Sequence, residues 1–327
     1  MSLKKRAKKL LGRRAAIAIA NVASFPLRMA LRRRLRDRIG MRDWKRISRM
    51  QAVSWPDDLS RPASLLDTNY YLPKILIALG IKRLSPTDGF DPERAIFIRF
   101  EDTTNAVRGE EEFKALEAVA NHAGDLSGLT MINNGCRDIS KRNVAKVFED
   151  VFGYPLDVDP TTHEGEMVEK SDTNAQHDGR VITGPIAPGE VREDCVYSVL
   201  VDTRVDEGSV QDFRLMYIGE LADFCFRERR RIEIRFSTTN IKTDVVQTSE
   251  HFSDEEIRLI ETFCGRMGLD VGELDCLRDR NSGRIYIVDV ANTPGSNKGL
   301  PLDGQIASLE RAALYFAKNI CGAEISI

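Results

Sequence analysis

The 327-residue chain has no Cys-X-X-Cys pair among its six cysteines, Cys136, Cys195, Cys225, Cys264, Cys276 and Cys321. Most of them sit inside apolar runs, where a thiol packs as a small hydrophobe, so the sequence is not built on a disulfide framework. Reduced, buried thiols point to a cytoplasmic location. Equally missing is any run of about 18 to 20 apolar residues, the length that a membrane-spanning helix requires. The nearest run, Ala15 to Phe25, has a basic flank and an Ala18-Ile19-Ala20 triplet in the manner of a secretory signal. Its Ala-rich block is only weakly hydrophobic, and it is expected to stay on the chain. There is no internal repeat or low-complexity tract, and neither His122 nor His163 has a neighbour that suggests metal binding.

Net charge is also nearly absent, at -2, but the balance hides a strong polarity. Residues 1–50 hold 17 Lys or Arg against Asp37 and Asp43 alone, so that segment carries +15 and the remaining 277 residues carry -17. The basic charge is therefore a local device. Leu10, Leu11, Ile17, Ile19, Val22, Leu27, Leu31 and Leu35 recur among these arginines at helical spacing. Such a basic amphipathic stretch suits an anionic membrane surface or an acidic polymer, with peripheral membrane contact as one outcome. It suits equally a helix packed on the body or in a homo-oligomer, with the arginines as its solvated face. No aromatic interleaving or nucleic-acid motif accompanies it, so nucleic acid is not an expected partner.

A composition of 42% hydrophobic and 30% charged residues is that of a globular chain, and the length suggests two domains behind the basic extension. The proline-bounded segment Pro56 to Pro62 reads as a linker. Beyond it, helix and strand patterns alternate. A short apolar helix is expected over Leu72–Ile81, a strand over Ala95–Phe100, a helix over Glu110–His122, a strand over Leu129–Ile132 and a helix over Lys141–Phe152. The second half is richer in strands, expected over Met167–Lys170, Val196–Val201, Asp212–Tyr217 and Phe224–Arg227. Asp206-Glu207-Gly208 joins the middle two. Ser253-Asp254-Glu255-Glu256 is a capping box that opens a helix ending at Gly268. Strands over Glu273–Leu277 and Arg284–Val290 follow.

The last strand pair carries the chemistry. Asp275 lies in one strand and Asp289 at the end of the next, with Asn292 and Pro294-Gly295 after it. Two carboxylates and a carboxamide offer hard oxygen ligands with open positions for phosphate and water, the environment Mg2+ takes. Upstream stand Arg214 in a strand, Lys170 at a strand end before a polar loop, and Lys141 opening a helix.

With these residues in place, the segments DISKRNVAKVFEDVFGYPL, MVEKSDTNAQHDGRVI, SVQDFRLMYIGE and GLDVGELDCLRDRNSGRIYIVDVANTPG resemble, in order and spacing, the ATP-grasp superfamily. The likeness is to the branch of the ribosomal-protein glutamate ligases and glutathione synthetases. It implies an α/β (α+β) fold with three parts: a basic helical extension over 1–55, a small α/β pre-domain over 56–140, and an ATP-grasp domain over 141–327 in which two α+β subdomains clamp ATP. It implies an ATP-dependent carboxylate-amine ligase working through an acyl phosphate, with ATP and one or two Mg2+ as cofactors and a carboxylate and an amine as substrates. Lys141 and Lys170 would neutralise the α and β phosphates, and the loop Ser171 to Gly179, with His177 and Asp178, would cover the triphosphate. Ser198, Val199 and Leu200 would face adenine, and Asp202 the ribose. Arg214 would reach the γ phosphate, with Arg227 and Arg235 facing inward beside it. Asp275, Asp289 and Asn292 would hold metal.

Three positions depart from the family pattern. Ala291 stands where relatives usually have the asparagine, so ligation by Asn292 requires a bulge or an irregular strand end. Asp289 replaces the more frequent glutamate, which shortens its reach. Asp172, Asn174, His177 and Asp178 stand where relatives carry several glycines. These departures leave two other outcomes open, a kinase that phosphorylates a hydroxyl and a nucleotide-binding protein without turnover.

Overall fold

The computed structural model describes residues 17–56, 63–65, 70–84, 89–101, 130–174, 176–295 and 299–327. The helix expected over Glu110–His122 and most of the Pro56–Pro62 linker lie outside these.

From residue 17 on, the basic segment is helical and docks on the body. Helix α1, Phe25–Ile39, buries Leu31, Leu35 and Ile39, spaced four residues apart on one face. Gly40, at φ 85°, ends it and leads into α2, Met41–Ile47. The guanidinium of Arg32 donates from Nη2 to the Ile77 carbonyl at 2.7 Å, and that of Arg46 donates from Nη1 to the Cys321 carbonyl at 2.6 Å. Of the two expectations for this segment, packing on the body accounts for the buried face.

The next strand, β1 (Gln51–Pro56), corrects the expected boundary near residue 56, because it already belongs to the sheet of the following module. Helix α3 (Tyr71–Leu79) connects it to β2 (Lys82–Leu84), and β3 (Ala95–Phe100) and β4 (Thr130–Ile132) complete a parallel sheet of order β2-β1-β3-β4. Every residue of β3 is buried, the continuous pattern that a parallel strand covered on both faces requires.

Helix α4 (Lys141–Phe152) is capped by the Ser140 hydroxyl, which accepts from Asn143 N. Strands β5 (Gly165–Ser171), β6 (Arg180–Gly184) and β7 (Cys195–Val199) form a small antiparallel sheet of order β6-β5-β7. The chain then crosses to a second antiparallel sheet made of β8 (Ser209–Ile218), β9 (Leu221–Arg231), β10 (Lys242–Gln247), β11 (Val271–Arg278) and β12 (Ile285–Ala291), in the order β10-β9-β8-β11-β12. Asp206-Glu207-Gly208 therefore connects strands of different sheets. The tight hairpin is instead β8–β9, turning at Gly219 (φ 72°), where a Cβ would come within 2.6 Å of the Asn319 Cβ.

Helix α5 (Asp254–Arg266) begins at the capping box: Ser253 Oγ accepts from Glu256 N at 3.2 Å, and Glu256 Oε2 accepts from Ser253 N at 2.8 Å. Arg278 at the end of β11 also donates to Glu256, at 2.7 Å. Ser253→Ala is expected to lower stability by about 1 kcal/mol, read as a lower melting temperature, because the first-turn amide of Glu256 loses its acceptor. An unchanged melt would show that the Arg278 contact alone holds the helix start.

Two apolar layers enclose the large sheet. Leu215, Leu274, Cys276 and Ile287 on one face pack with Phe148 of α4 and Phe263 of α5. On the other face, Met216, Ile218, Phe224 and Phe226 share a core with α1, α3, β3 and the C-terminal helix α6 (Leu302–Tyr315). All six cysteines are buried, and none forms a disulfide among the described residues. The architecture is mixed α/β, as expected, with one parallel and two antiparallel sheets among the described residues.

Candidate nucleotide site

The apolar layer on the second face does not cover the whole of that face. Beyond Met216, Phe226 and Val271 the alternation continues with charged residues: Asp212 and Arg214 in β8, Glu228 and Arg230 in β9, Glu273 and Asp275 in β11. Of these, Asp212, Arg214, Glu228, Arg230 and Asp275 look toward the small sheet across a cavity of about 240 Å³. The opposite wall carries Val168 and Lys170 from β5, Ser198 and Val199 from β7, and Lys141 from the start of α4. Val168, Val199, Val201, Leu277 and Val288 give the cavity an apolar part to its lining beside these charged groups.

Asp275 and Asp289 are paired in Cα register on β11 and β12, and Asp275 is paired in turn with Arg214 on β8. Arg214 Nε donates to Asp275 Oδ1 at 3.0 Å, and its Nη1 lies 3.6 Å from Glu273 Oε1. The register slips between Asp275 and Cys276, leaving Val288 as an extra residue on β12. Lys170 Nζ donates to the carbonyl of that bulged residue at 3.0 Å. The bulge thus turns a backbone oxygen toward the lysine and both aspartates toward the cavity.

Burial raises the Asp289 carboxyl above its ordinary value, against the pull of Lys141 and Lys170. Burial also lowers the Lys170 ammonium, with Asp289 opposing. Glu273 is pushed up to about 7 by desolvation, with Arg214 pulling it back. Asp157, whose shift is tempered by Lys170, is pushed up to about 6 by the same cause. Each of these groups is held near a charge of opposite sign but away from water, a state that a polyanion with its counterions would relieve.

Lys141, Lys170, His177, Asp178, Gly179, Ser198, Val199, Arg214, Arg235, Asp275 and Asp289 all line this one cavity. Arg235 reaches it from the segment after β9 and donates to the Val201 carbonyl at 3.0 Å. His177 adopts φ 54°, and a Cβ on Gly179 would fall 2.7 Å from Phe236, so the loop after β5 closes directly onto the segment after β9.

Five expected residues are placed elsewhere. Arg227 is corrected by strand period: Phe226, Glu228 and Arg230 share the inward face of β9, and Arg227 on the other face pairs with Asp244 at 3.2 Å. Asn292 is fully buried and its carbonyl accepts from Asn133 Nδ2 at 3.0 Å; it is not part of the cavity wall. Asp202 pairs with Arg204 at 2.7 Å, and that side-chain contact holds its carboxyl down at about 2. Ser171 donates through its hydroxyl and its amide to the Asp178 carboxylate, bracing the loop. Leu200 lies just past the end of β7, outside the wall, and the β7 edge is partly engaged, since Val199 N donates to the Leu156 carbonyl at 2.9 Å.

The sequence reading passed over Asp212 and Glu228 and did not favour Arg230, although Arg230 bonds both carboxylates, Glu228 Oε2 at 2.6 Å among them. Their signal was period two: Asp212/Arg214 and Glu228/Arg230 place like positions of neighbouring strands on one face.

Among the described residues no three His, Cys, Asp or Glu side chains converge into a closed metal cage. The open pair Asp275 and Asp289 fits a hard cation that keeps several waters and takes one or two carboxylates plus substrate phosphates, which is the habit of Mg2+.

No protein-family model matches the chain, and no curated protein matches it. Among solved structures it is similar to ATP-grasp ligase PsnB, complexed with a phosphomimetic variant of its minimal precursor, Mg and ADP. That similarity is 14% identity over 82% of this chain and 97% of the other, at a TM-score of 0.46. A RimK domain protein ATP-grasp from Sphaerobacter thermophilus DSM 20745 gives 14% identity over 83% and 100%, at 0.46. D-alanyl-alanine synthetase A from Vibrio cholerae O1 biovar eltor str. N16961 gives 12% over 70% and 76%, at 0.41. Likeness of this degree carries nothing about the site, which stands on the side chains above.

Proposed function

We propose that the chain is an ATP-dependent ligase that joins a carboxylate to an amine, with Mg-ATP held between the small and large antiparallel sheets. The observation that carries this reading is the facing of Lys141 and Lys170 against Asp275 and Asp289 across one cavity that also has an apolar part to its lining. A triphosphate needs cations on one side and metal-holding carboxylates on the other, and the base needs an apolar cleft.

In this reading Asp275 and Asp289 hold Mg2+, which supplies charge neutralisation on the transferring phosphoryl group. Lys141 and Lys170 act as point charges on the phosphates, and Arg235 lines the cavity from its Val201 side. The loop closed by Gly179 on Phe236 shields the cavity from water, and Arg230 stays committed to Asp212 and Glu228 as a brace. A substrate carboxylate oxygen attacks the γ phosphorus as the bond to the bridging oxygen breaks and ADP departs. The amine then attacks the acyl carbon, the carbon–oxygen bond breaks, and phosphate leaves with the amine's proton. No enzyme nucleophile is needed; orientation and electrostatics do the work.

The experiment is trapping. With Mg-ATP, hydroxylamine and a panel of amino-acid and peptide carboxylates, at least one carboxylate is expected to yield a hydroxamate together with stoichiometric ADP and phosphate. A stable phosphate ester of a hydroxyl compound in place of hydroxamate would make the protein a kinase and overturn the ligase reading. Tight ATP binding without phosphate release across the panel would overturn turnover itself.

A further inference from the structure

Helix α1 and the helical residues 17–23 that lead into it have two apolar faces, and only one is used by the core. Leu31, Leu35 and Ile39 face inward, while Val22, Phe25 and Met29 are exposed by 77%, 51% and 47%. Val22, Phe25 and Met29 follow at intervals of three and four residues along a run that is hydrogen-bonded through Ser24, from Ser24 N to the Ala20 carbonyl and from Arg28 N to the Ser24 carbonyl. They therefore form one outward stripe. At 100° per residue the stripe continues into Arg33 and Arg36. Among the described residues no ion pair holds Arg33, Arg38, Arg42, Lys45 or Arg49, although acidic side chains are abundant elsewhere in the chain.

Exposed apolar side chains scattered singly are ordinary, but a contiguous stripe that runs into Arg33, held by no ion pair among the described residues, and Arg36, paired only with its chain neighbour Asp37 at 3.2 Å, is not. Its shape is that of a helix lying in the plane of an anionic bilayer, with the apolar stripe at the acyl boundary and the guanidinium groups at the lipid phosphates. We infer that the outward face of α1, Val22, Phe25 and Met29 with Arg33 and Arg36, docks the protein peripherally on a membrane surface rich in anionic lipid. Charge complementarity selects this occupant: a second copy would bring the same positive face against itself, and an acidic polymer would leave the apolar stripe in water. No helix among the described residues is long and apolar enough to cross a membrane, so the contact is with the surface. None of these residues lines the nucleotide cavity, so docking and turnover are separable.

The test is co-sedimentation of the full chain with vesicles of phosphatidylcholine alone or with about 30% phosphatidylglycerol. Binding is expected to the anionic vesicles only, and to weaken between about 0.1 M and 0.5 M salt as the Debye length shrinks. Arg33→Gln with Arg36→Gln is expected to weaken the partition roughly 25-fold, about fivefold for each charge removed. Val22→Ser, Phe25→Ser and Met29→Ser together should reduce it further, with ATP turnover unchanged because none of the three lines the cavity, and with the melting temperature little changed because about half or more of each side chain is already exposed. A tryptophan at position 25 (Phe25→Trp) should show blue-shifted emission on the vesicles. Equal binding to both vesicle types, or none to either, would sink the inference. So would a solution dimer that Phe25→Ser dissociates, which assigns the stripe to a second copy. Heparin binding lost in the arginine variant but untouched by the serine variant, without vesicle binding, would assign the face to an acidic polymer.

Discussion

Asp289→Asn is expected to lower kcat/KM for ATP by about a thousandfold, roughly 4 kcal/mol of transition-state stabilisation, while leaving the protein at least as stable as the parent. The two effects have opposite signs for one reason. In the folded protein the Asp289 carboxyl is raised above its usual value by burial, so its ionised form opposes folding at any pH above that raised value. Asparagine keeps the shape and removes the charge, and the oxygen that accepts from Val290 N at 3.1 Å remains. What is lost is the anionic partner for a metal ion beside Asp275, and with it the means of neutralising the transferring phosphoryl group. Steady-state ADP release and a thermal melt at pH 8 decide the matter. Retained turnover would remove Asp289 from the metal role, and a collapsed melt would make it a structural residue. A core substitution that merely loosens the fold would lower both quantities together.

What could be read in the sequence divides along the line between local and non-local causes. Lys141–Phe152 and Asp254–Arg266 were legible because helical spacing and a serine cap are encoded within a dozen residues. Ala95–Phe100 was legible because a doubly covered strand is simply a continuous apolar run. Strand β1 was lost inside a basic segment, since its partners, Lys82–Leu84 and Ala95–Phe100, lie tens of residues away. The five arginines between 227 and 235 look alike in sequence. Their roles are set by register with β8, where Arg227 is opposite Phe213 and Arg230 opposite Val210. The same holds for Asn292. An irregularity was expected after Asp289, but the slip falls before it, at Val288, and Asn292 is drawn inward by Asn133, a residue from the end of β4. Asp275, Asp289 and Lys170 could be singled out from their types and order, yet the bulge that lets the Val288 carbonyl receive Lys170 could not.

Arg214→Ala is expected to destabilise the protein by about 3 kcal/mol, most of it above pH 7. Arg214 stands between two carboxylates, donating to Asp275 at 3.0 Å and lying 3.6 Å from Glu273. Asp275 beside it is the main reason its guanidinium holds its proton so firmly. Breaking a buried pair by removing one partner leaves the other charge uncompensated, and the cost sits at the low end here because the Asp275 side chain is 33% exposed. The pH dependence follows from Glu273, which is pushed from 4.5 up to about 7 even with the guanidinium in place. The folded state holds a proton there that the unfolded chain releases, so this group's contribution to stability falls as pH rises between about 4.5 and 7. Without Arg214 only the Gly295 amide pulls Glu273 back, the falling window extends above pH 7, and the deficit is smallest near pH 5, where Glu273 is protonated. Glu273→Gln in the Arg214→Ala background should then recover part of the loss and flatten its pH profile. Urea unfolding of the four proteins between pH 5 and pH 8.5 measures this. A deficit that is constant with pH, or one that Glu273→Gln fails to reduce, would mean that Arg214 stabilises the sheet by packing alone and not by balancing the carboxylates of β11.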